Sequence, residues 1–147
     1  MAAEQGASEA KSAPMRNAAT LVLARAAETG LGIEVFLSRR TAKAAFMANA
    51  WVYPGGRVDD EDADERIGAR LLPERAEDFA HPFEDDIDHA LARAHYVAAL
   101  RESFEEAGVL YARHEDGRPV DLTDAGTRDR LAGHRADRQA QSRTGLP

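Results

Sequence analysis

The sequence predicts a single α/β domain, because strand patterns occupy the first part of the chain and a long helix pattern follows them. At 147 residues the chain is long enough for one domain at most. Short aliphatic runs flank a glycine turn near residue 30, and a further strand pattern, Trp51-Val52-Tyr53, leads into Pro54-Gly55-Gly56. From about Ile87 to Ala107, apolar residues recur at helical spacing. These three observations together predict the α/β class.

The N-terminal region divides into a polar tail and a hairpin. Residues 1–15 have no periodic apolar face, which predicts a disordered tail. A β-hairpin is predicted next, with strands at residues 20–23 and 33–38 around a glycine turn at residues 28–32.

The long predicted helix ends in the candidate site, Arg101-Glu102-Ser103-Phe104-Glu105-Glu106-Ala107-Gly108-Val109. A helix advances about 100° per residue, so its three glutamates, Glu102, Glu105 and Glu106, fall within one arc of roughly 100°. The opposite side is predicted to be core and comprises Val97, Leu100, Phe104 and Ala107. Gly108 is predicted to end the helix in a left-handed conformation.

Three carboxylates this close together repel one another unless a cation lies among them, and oxygen ligands suit a hard ion such as Mg2+ or Mn2+. The spacing by itself also fits a solvated acidic face on an amphipathic helix. Further residues are needed to choose between these two interpretations.

The string from Arg101 to Val109 resembles the second half of the Nudix box, G-x5-E-x7-R-E-U-x-E-E-x-G-U with U apolar. Ser103 departs from the pattern at the first U. The strand 51–53 and the glycines Gly55-Gly56 resemble the start of the same box. Both halves are present in the right order, and the chain is therefore identified as similar to the Nudix hydrolase family.

A long insertion separates the two halves. In an uninterrupted box the arginine would stand at position 70, but Arg70 is not followed by Glu, and Arg101 lies 31 positions later. This insertion, assigned to residues 57–88, together with residues 46–59, resembles the Nudix branch of the peroxisomal coenzyme A diphosphatase and its bacterial relatives. The box's first Glu is left open between Asp60, Glu61 and Asp62. A lid over the site and a plain surface excursion are both consistent with the insertion.

The resemblance implies an α/β/α sandwich around a mixed sheet, with residues 16–112 as the N-terminal part of the Nudix domain. It also implies hydrolysis of a nucleoside diphosphate linked to another group. Glu102, Glu105 and Glu106 would hold Mg2+ or Mn2+, Arg101 would orient the glutamates, and Gly55-Gly56 would let the backbone approach the metal site.

The same resemblance suggests coenzyme A or an acyl derivative as substrate, followed by ADP-ribose or NADH. Arg39 or Arg40, after the second strand, is the candidate for contact with the substrate phosphates, because a guanidinium binds phosphate oxygens bidentately.

Composition excludes several classes of function. The chain has no cysteine, which excludes disulfides, a thiol nucleophile and a cysteine zinc site. A net charge of -7 argues against a nucleic-acid partner. Apolar runs are too short for a membrane span, and no signal-peptide layout begins the chain, so a cytoplasmic protein is expected.

After the box, Val109-Leu110-Tyr111 is predicted to form a short strand. The C-terminal segment, residues 113–147, lacks aromatic residues, and we predict a mostly polar helix from about Asp124 to Gln139. The further strands that a Nudix domain needs are not predicted there, so the chain is expected to be truncated at its C-terminus. A homodimer would be one source of the strands. The alternatives to an active hydrolase are an inactive fragment that acts as a protein-interaction module and a simple cation-binding module.

Overall fold

The computed structural model describes residues 15–44, 47–71 and 87–144. The strands are β1 (Ala18–Thr20), β2 (Ala24–Ala26), β3 (Ile33–Val35), β4 (Ser38–Arg39), β5 (Trp51–Val52) and β6 (Gly55–Arg57). The helices are a 3-10 turn (Asp60–Ala63), α1 (Glu65–Gly68), α2 (His89–Glu102), a π-helical segment (Ser103–Ala107) and α3 (Ala125–Thr144). Residues 1–14 of the predicted tail and residues 72–86 of the predicted insertion lie outside the described residues.

The described strands form three antiparallel pairs, and the predicted α/β class is confirmed. β2 pairs with β3, so the predicted hairpin is present, with the Gly30 amide donating to the Ala27 carbonyl in its turn. β1 pairs instead with β6, and β4 pairs with β5. The predicted first strand, residues 20–23, is placed wrongly: only Thr20 lies in a strand, and residues 21–23 connect β1 to β2. The strands have two or three residues each, and the described pairs stay separate instead of joining into one mixed sheet.

Helix α2 is the centre of the described fold. It packs against β1, β6 and the 3-10 turn. Its buried hydrophobic residues are small: Ala92, Ala94, Val97 and Ala98. Small side chains allow the helix to approach the strands closely, which places the end of α2 directly beside the Gly55-Gly56 strand.

The end of α2 matches the prediction in position but differs in form. The last five residues before Gly108 are π-helical. The π-helix is rare in proteins, and where it occurs it often lies at a functional site. Gly108 has φ 72°, and its amide donates to the Phe104 carbonyl at 2.9 Å, which confirms the left-handed stop. Of the predicted core face, Val97 is buried, whereas Leu100, Phe104 and Ala107 are half-buried.

Large hydrophobic side chains on the strands remain exposed. Ile33 is 72% exposed and Trp51 64%, while the four core residues of α2 are at most 7% exposed. The hydrophobic interior of the described chain is therefore confined to one side, around α2.

Two predictions concern the chain after the box. The predicted strand at residues 109–111 is wrong: the Val109 amide donates to the Ser103 carbonyl at 3.4 Å and so completes the helix end. The predicted polar helix is confirmed as α3, which packs against the π-helical segment. No helix among the described residues combines the length and the apolar character needed to cross a membrane.

Candidate active site

The two halves of the predicted box meet where β6 passes the end of α2. The Gly55 amide donates to Oε2 of Glu106 at 3.2 Å, although 51 positions separate the two residues. The Glu102 carboxylate lies directly on Gly56, where a Cβ atom would overlap it. A Cβ at Gly55 would lie 2.5 Å from the Ala19 carbonyl oxygen of β1. Both glycines are therefore required by close packing, Gly55 against β1 and Gly56 against Glu102, while their approach to a metal stays a prediction.

Arg101 joins the helix to the segment that follows β6. Its Nε and Nη2 donate to the two carboxylate oxygens of Asp62, each at 2.9 Å. Nη1 donates to Oε1 of Glu102 at 2.8 Å, and Nη2 also donates to the Arg57 carbonyl at 2.9 Å. The Arg101 side chain is 13% exposed. This planar fork fixes the guanidinium, and the guanidinium in turn holds Glu102.

Asp62 is the acid among the three candidates for the first box position that contacts Arg101. It is 2% exposed, and besides the two hydrogen bonds from Arg101 it accepts a third from the Asp59 amide at 2.8 Å. A signal in the sequence could have selected it. The count from Gly56 that places the box arginine at position 70 also places the box's first acid at position 62.

The three glutamates differ in their surroundings. Glu105 is 4% exposed, and its Oε1 accepts from Nε of Arg138 at 2.9 Å and lies 3.6 Å from Nη1 of Arg101. Glu106 is exposed, and the Glu102 side chain is 15% exposed. The sequence predicted one acidic face shared by all three, but here Glu105 is buried between two arginines.

Comparison with known proteins agrees with this geometry. No protein-family model matches the sequence. The crystal structure of a NUDIX hydrolase from Alicyclobacillus acidocaldarius is similar to this chain, with 32% sequence identity and a TM-score of 0.56. The chain has a Nudix-type fold. The match covers 74% of this chain and 44% of that hydrolase, so the chain spans less than half of the hydrolase's length. At this identity the likeness supports the Nudix family.

At the predicted box, burial and the pairing of Arg101 with carboxylates act in opposite directions on the pKa values of Glu102 and Arg101. Burial raises the pKa of Glu102, the Arg101 guanidinium opposes the rise, and the charges of Glu105 and Glu106 add to it. Burial would lower the pKa of Arg101, but the hydrogen bonds and charges of Asp62 and Glu102 raise it on balance. An added cation would relieve the repulsion that Glu102 experiences.

The donor set of the box suits a hard divalent ion in part. Within residues 15–44, 47–71 and 87–144, no three histidine, cysteine, aspartate or glutamate side chains are grouped closely enough to hold a metal. Glu102 and Glu106 offer carboxylate oxygens beside the glycine strand, whereas Oε1 of Glu105 is paired with arginines. The predicted three-glutamate ligand set therefore stays a prediction.

Arg39 and Arg40 lie at the end of β4, which pairs with β5, the strand that precedes β6 in the chain. Arg39 is opposite Trp51 in the ladder, and the Arg40 amide donates to the Ala50 carbonyl at 2.9 Å. Both side chains are exposed. Their predicted contact with substrate phosphates is consistent with this exposure and stays a prediction.

Proposed function

We propose that this chain belongs to the Nudix hydrolases and cleaves a nucleoside diphosphate linked to another group, with Mg2+ or Mn2+ as the metal. The observation that carries the proposal is the meeting of Gly55-Gly56 with Glu102 and Glu106. The similarity to a solved Nudix hydrolase supports it.

In this proposal Glu102 and Glu106 hold the metal, and Glu105 contributes negative charge. A divalent ion held there would supply positive charge to the phosphates and would lower the pKa of an attacking water. Arg101 keeps Glu102 in place through the hydrogen bond from Nη1. One of the three glutamates would act as the general base that takes the proton of the attacking water.

Coenzyme A or an acyl derivative is the substrate we propose first, because of the insertion inside the box, and ADP-ribose or NADH is the next choice. Arg39 or Arg40 would bind the diphosphate through its exposed guanidinium. We propose a cytoplasmic protein that acts on a small molecule, with neither nucleic acid nor a membrane as partner. A homodimer stays a prediction, which sedimentation analysis would test.

The test is hydrolysis of coenzyme A, ADP-ribose and NADH with Mg2+ or Mn2+, run on the chain and on two variants. Glu106→Gln should abolish metal-dependent turnover and leave the free energy of unfolding equal or slightly raised. Glu115→Gln is the matched control, since it removes one carboxylate from an exposed loop residue. We expect it to keep full turnover.

Turnover in the wild type and in Glu115→Gln, but not in Glu106→Gln, would support the proposal and identify the substrate class. No turnover of any substrate by the folded wild-type chain would contradict it. That result would favour the alternative of an inactive Nudix fragment that takes part in protein interactions.

A further inference from the structure

Helix α3 contacts the end of the Nudix-box helix through one face. Arg135, Arg138 and Gln139 stand at spacings of three and four residues and so point to the same side of α3. Arg135 donates from Nε to the Glu105 carbonyl at 2.8 Å and from Nη2 to the Glu106 carbonyl at 2.6 Å. Gln139 donates from Nε2 to the Glu105 carbonyl at 2.6 Å.

These bonds satisfy carbonyls that a helix end leaves without intrahelical partners. The position of α3 on the box helix is therefore maintained by backbone contacts of Arg135 and Gln139. The Arg135 guanidinium also lies beside Gly108, where a Cβ would be 3.1 Å from Nη1.

Arg138 makes a different kind of contact, because it pairs with carboxylates. Its Nε donates to Oε1 of Glu105 at 2.9 Å, and its Nη1 donates to Oε2 of Glu61 at 3.1 Å. Nη1 of Arg101 lies 3.6 Å from the same Glu105 oxygen. Two fixed cations therefore converge on one nearly buried carboxylate oxygen.

We infer that Arg138 is a positioning residue that withholds Glu105 from the divalent ion and thereby sets the metal affinity of the box helix. The inference rests on the proposed function. An ion that used Oε1 of Glu105 would have to displace Nε of Arg138, and it would meet the charge of the guanidinium as well. Glu102 and Glu106 carry no such bond to α3 from their carboxylates in the described contacts.

The experiment measures the affinity of the protein for Mn2+, by the paramagnetic resonance of the free ion, in wild type and in Arg138→Gln. Loss of the positive charge next to Glu105 should tighten Mn2+ binding on the order of tenfold. Arg130→Gln is the matched control, because it makes the same change on α3 at a residue whose guanidinium donates to Thr127 within the helix. The control should leave Mn2+ affinity near that of the wild type.

Making Arg138→Gln in a protein that already carries Glu105→Gln distinguishes an effect of Arg138 through Glu105 from a purely structural one. If Arg138 acts through Glu105, Arg138→Gln should no longer tighten Mn2+ binding once Glu105 is already Gln. Glu105→Gln alone should weaken Mn2+ binding less than Glu106→Gln does, and this comparison carries the test if Arg138→Gln fails to fold.

Unchanged or weaker Mn2+ binding in a folded Arg138→Gln variant would overturn the inference, as would a Glu105→Gln variant that loses as much affinity as Glu106→Gln. Tightening that persists without Glu105 would overturn it too. In these cases a wild type that binds Mn2+ and hydrolyses substrate would leave the proposed function intact. If neither the wild type nor any variant binds Mn2+, both fall.

Discussion

Loss of the Arg101 guanidinium should destabilise this fold strongly, because Asp62, Glu102 and the Arg57 carbonyl all accept hydrogen bonds from it. Replacing it with Met keeps much of the side chain's length and removes the guanidinium. Asp62, at 2% exposure, would then keep only the Asp59 amide as its described donor. Glu102 would lose the hydrogen bond of 2.8 Å from Nη1.

Breaking a buried ion pair by removing one partner costs about 3–5 kcal/mol, and we expect Arg101→Met to fall in that range. Asp62→Asn should cost less, about 1–3 kcal/mol, because Arg101 keeps its bonds to Glu102 and to the Arg57 carbonyl. Combined, the two changes should cost less than the sum of the single losses, since they share one interaction.

Urea unfolding followed by far-ultraviolet circular dichroism measures these free energies through the helices. Trp51 is 64% exposed, so its fluorescence should respond weakly to unfolding. Arg66→Met is the control, because it breaks an ion pair that is exposed. The contact of Arg66 with Asp64, at 2.6 Å, is shorter than that of Arg101 with Asp62, at 2.9 Å, but Arg66 is 89% exposed. We expect little or no loss of stability from this exposed pair. Equal losses for Arg66→Met and Arg101→Met, or strictly additive losses in the double variant, would refute the reasoning from burial.

Three further variants test the site, and a fourth, Gly133→Ala, is a control for one of them. Burial raises the pKa of Glu102, so the ionised carboxylate destabilises the fold at neutral pH. This penalty is absent below the ordinary pKa of 4.5, where the carboxyl is protonated in both states. Glu102→Gln should therefore raise the free energy of unfolding by about 1 kcal/mol or less at neutral pH. That gain in stability should shrink as the pH falls. A gain that grew instead would mean that folding lowers the pKa of Glu102. Gly56→Ala should displace Glu102, weaken Mn2+ binding and cost about 1–3 kcal/mol in urea unfolding. Gly133→Ala, in open space on α3, should gain about 0.5–1 kcal/mol, and similar effects of the two changes would argue against the close approach at Gly56. Ser103 is fully buried, and its hydroxyl has no hydrogen-bond partner in the described structure, so Ser103→Ala should raise the free energy of unfolding by about 1 kcal/mol. A marked loss of stability in thermal unfolding would show that the hydroxyl is satisfied.

The parts of the site that the sequence predicts are those with local periodicity or a required backbone conformation. Helical spacing places the box glutamates at the end of α2, and Gly108 takes the left-handed conformation that ends the helix. Two consecutive glycines predict a close approach of the backbone to other atoms, and the Glu102 carboxylate does lie against Gly56.

The remainder depends on contacts between distant parts of the chain, which periodicity does not encode. Helical spacing puts Glu105 on an acidic face with its neighbours, but it contains no information about α3, so the pairing with Arg138 was not predicted. Phe104 illustrates the converse: an apolar residue in the right register is only half-buried, because burial requires a packing partner as well as a face.

The contact between Asp62 and Arg101 closes a loop across 39 positions of sequence by two hydrogen bonds of 2.9 Å. The entropy of closing a flexible loop rises slowly with length, by about 0.6 kcal/mol for each doubling. An ion pair of this kind is compatible with large changes in the length of a loop between its two residues. Evolution can therefore change the length of the stretch between α1 and α2 at small thermodynamic cost, and the same pair of ends could present different surfaces beside an unchanged set of glutamates.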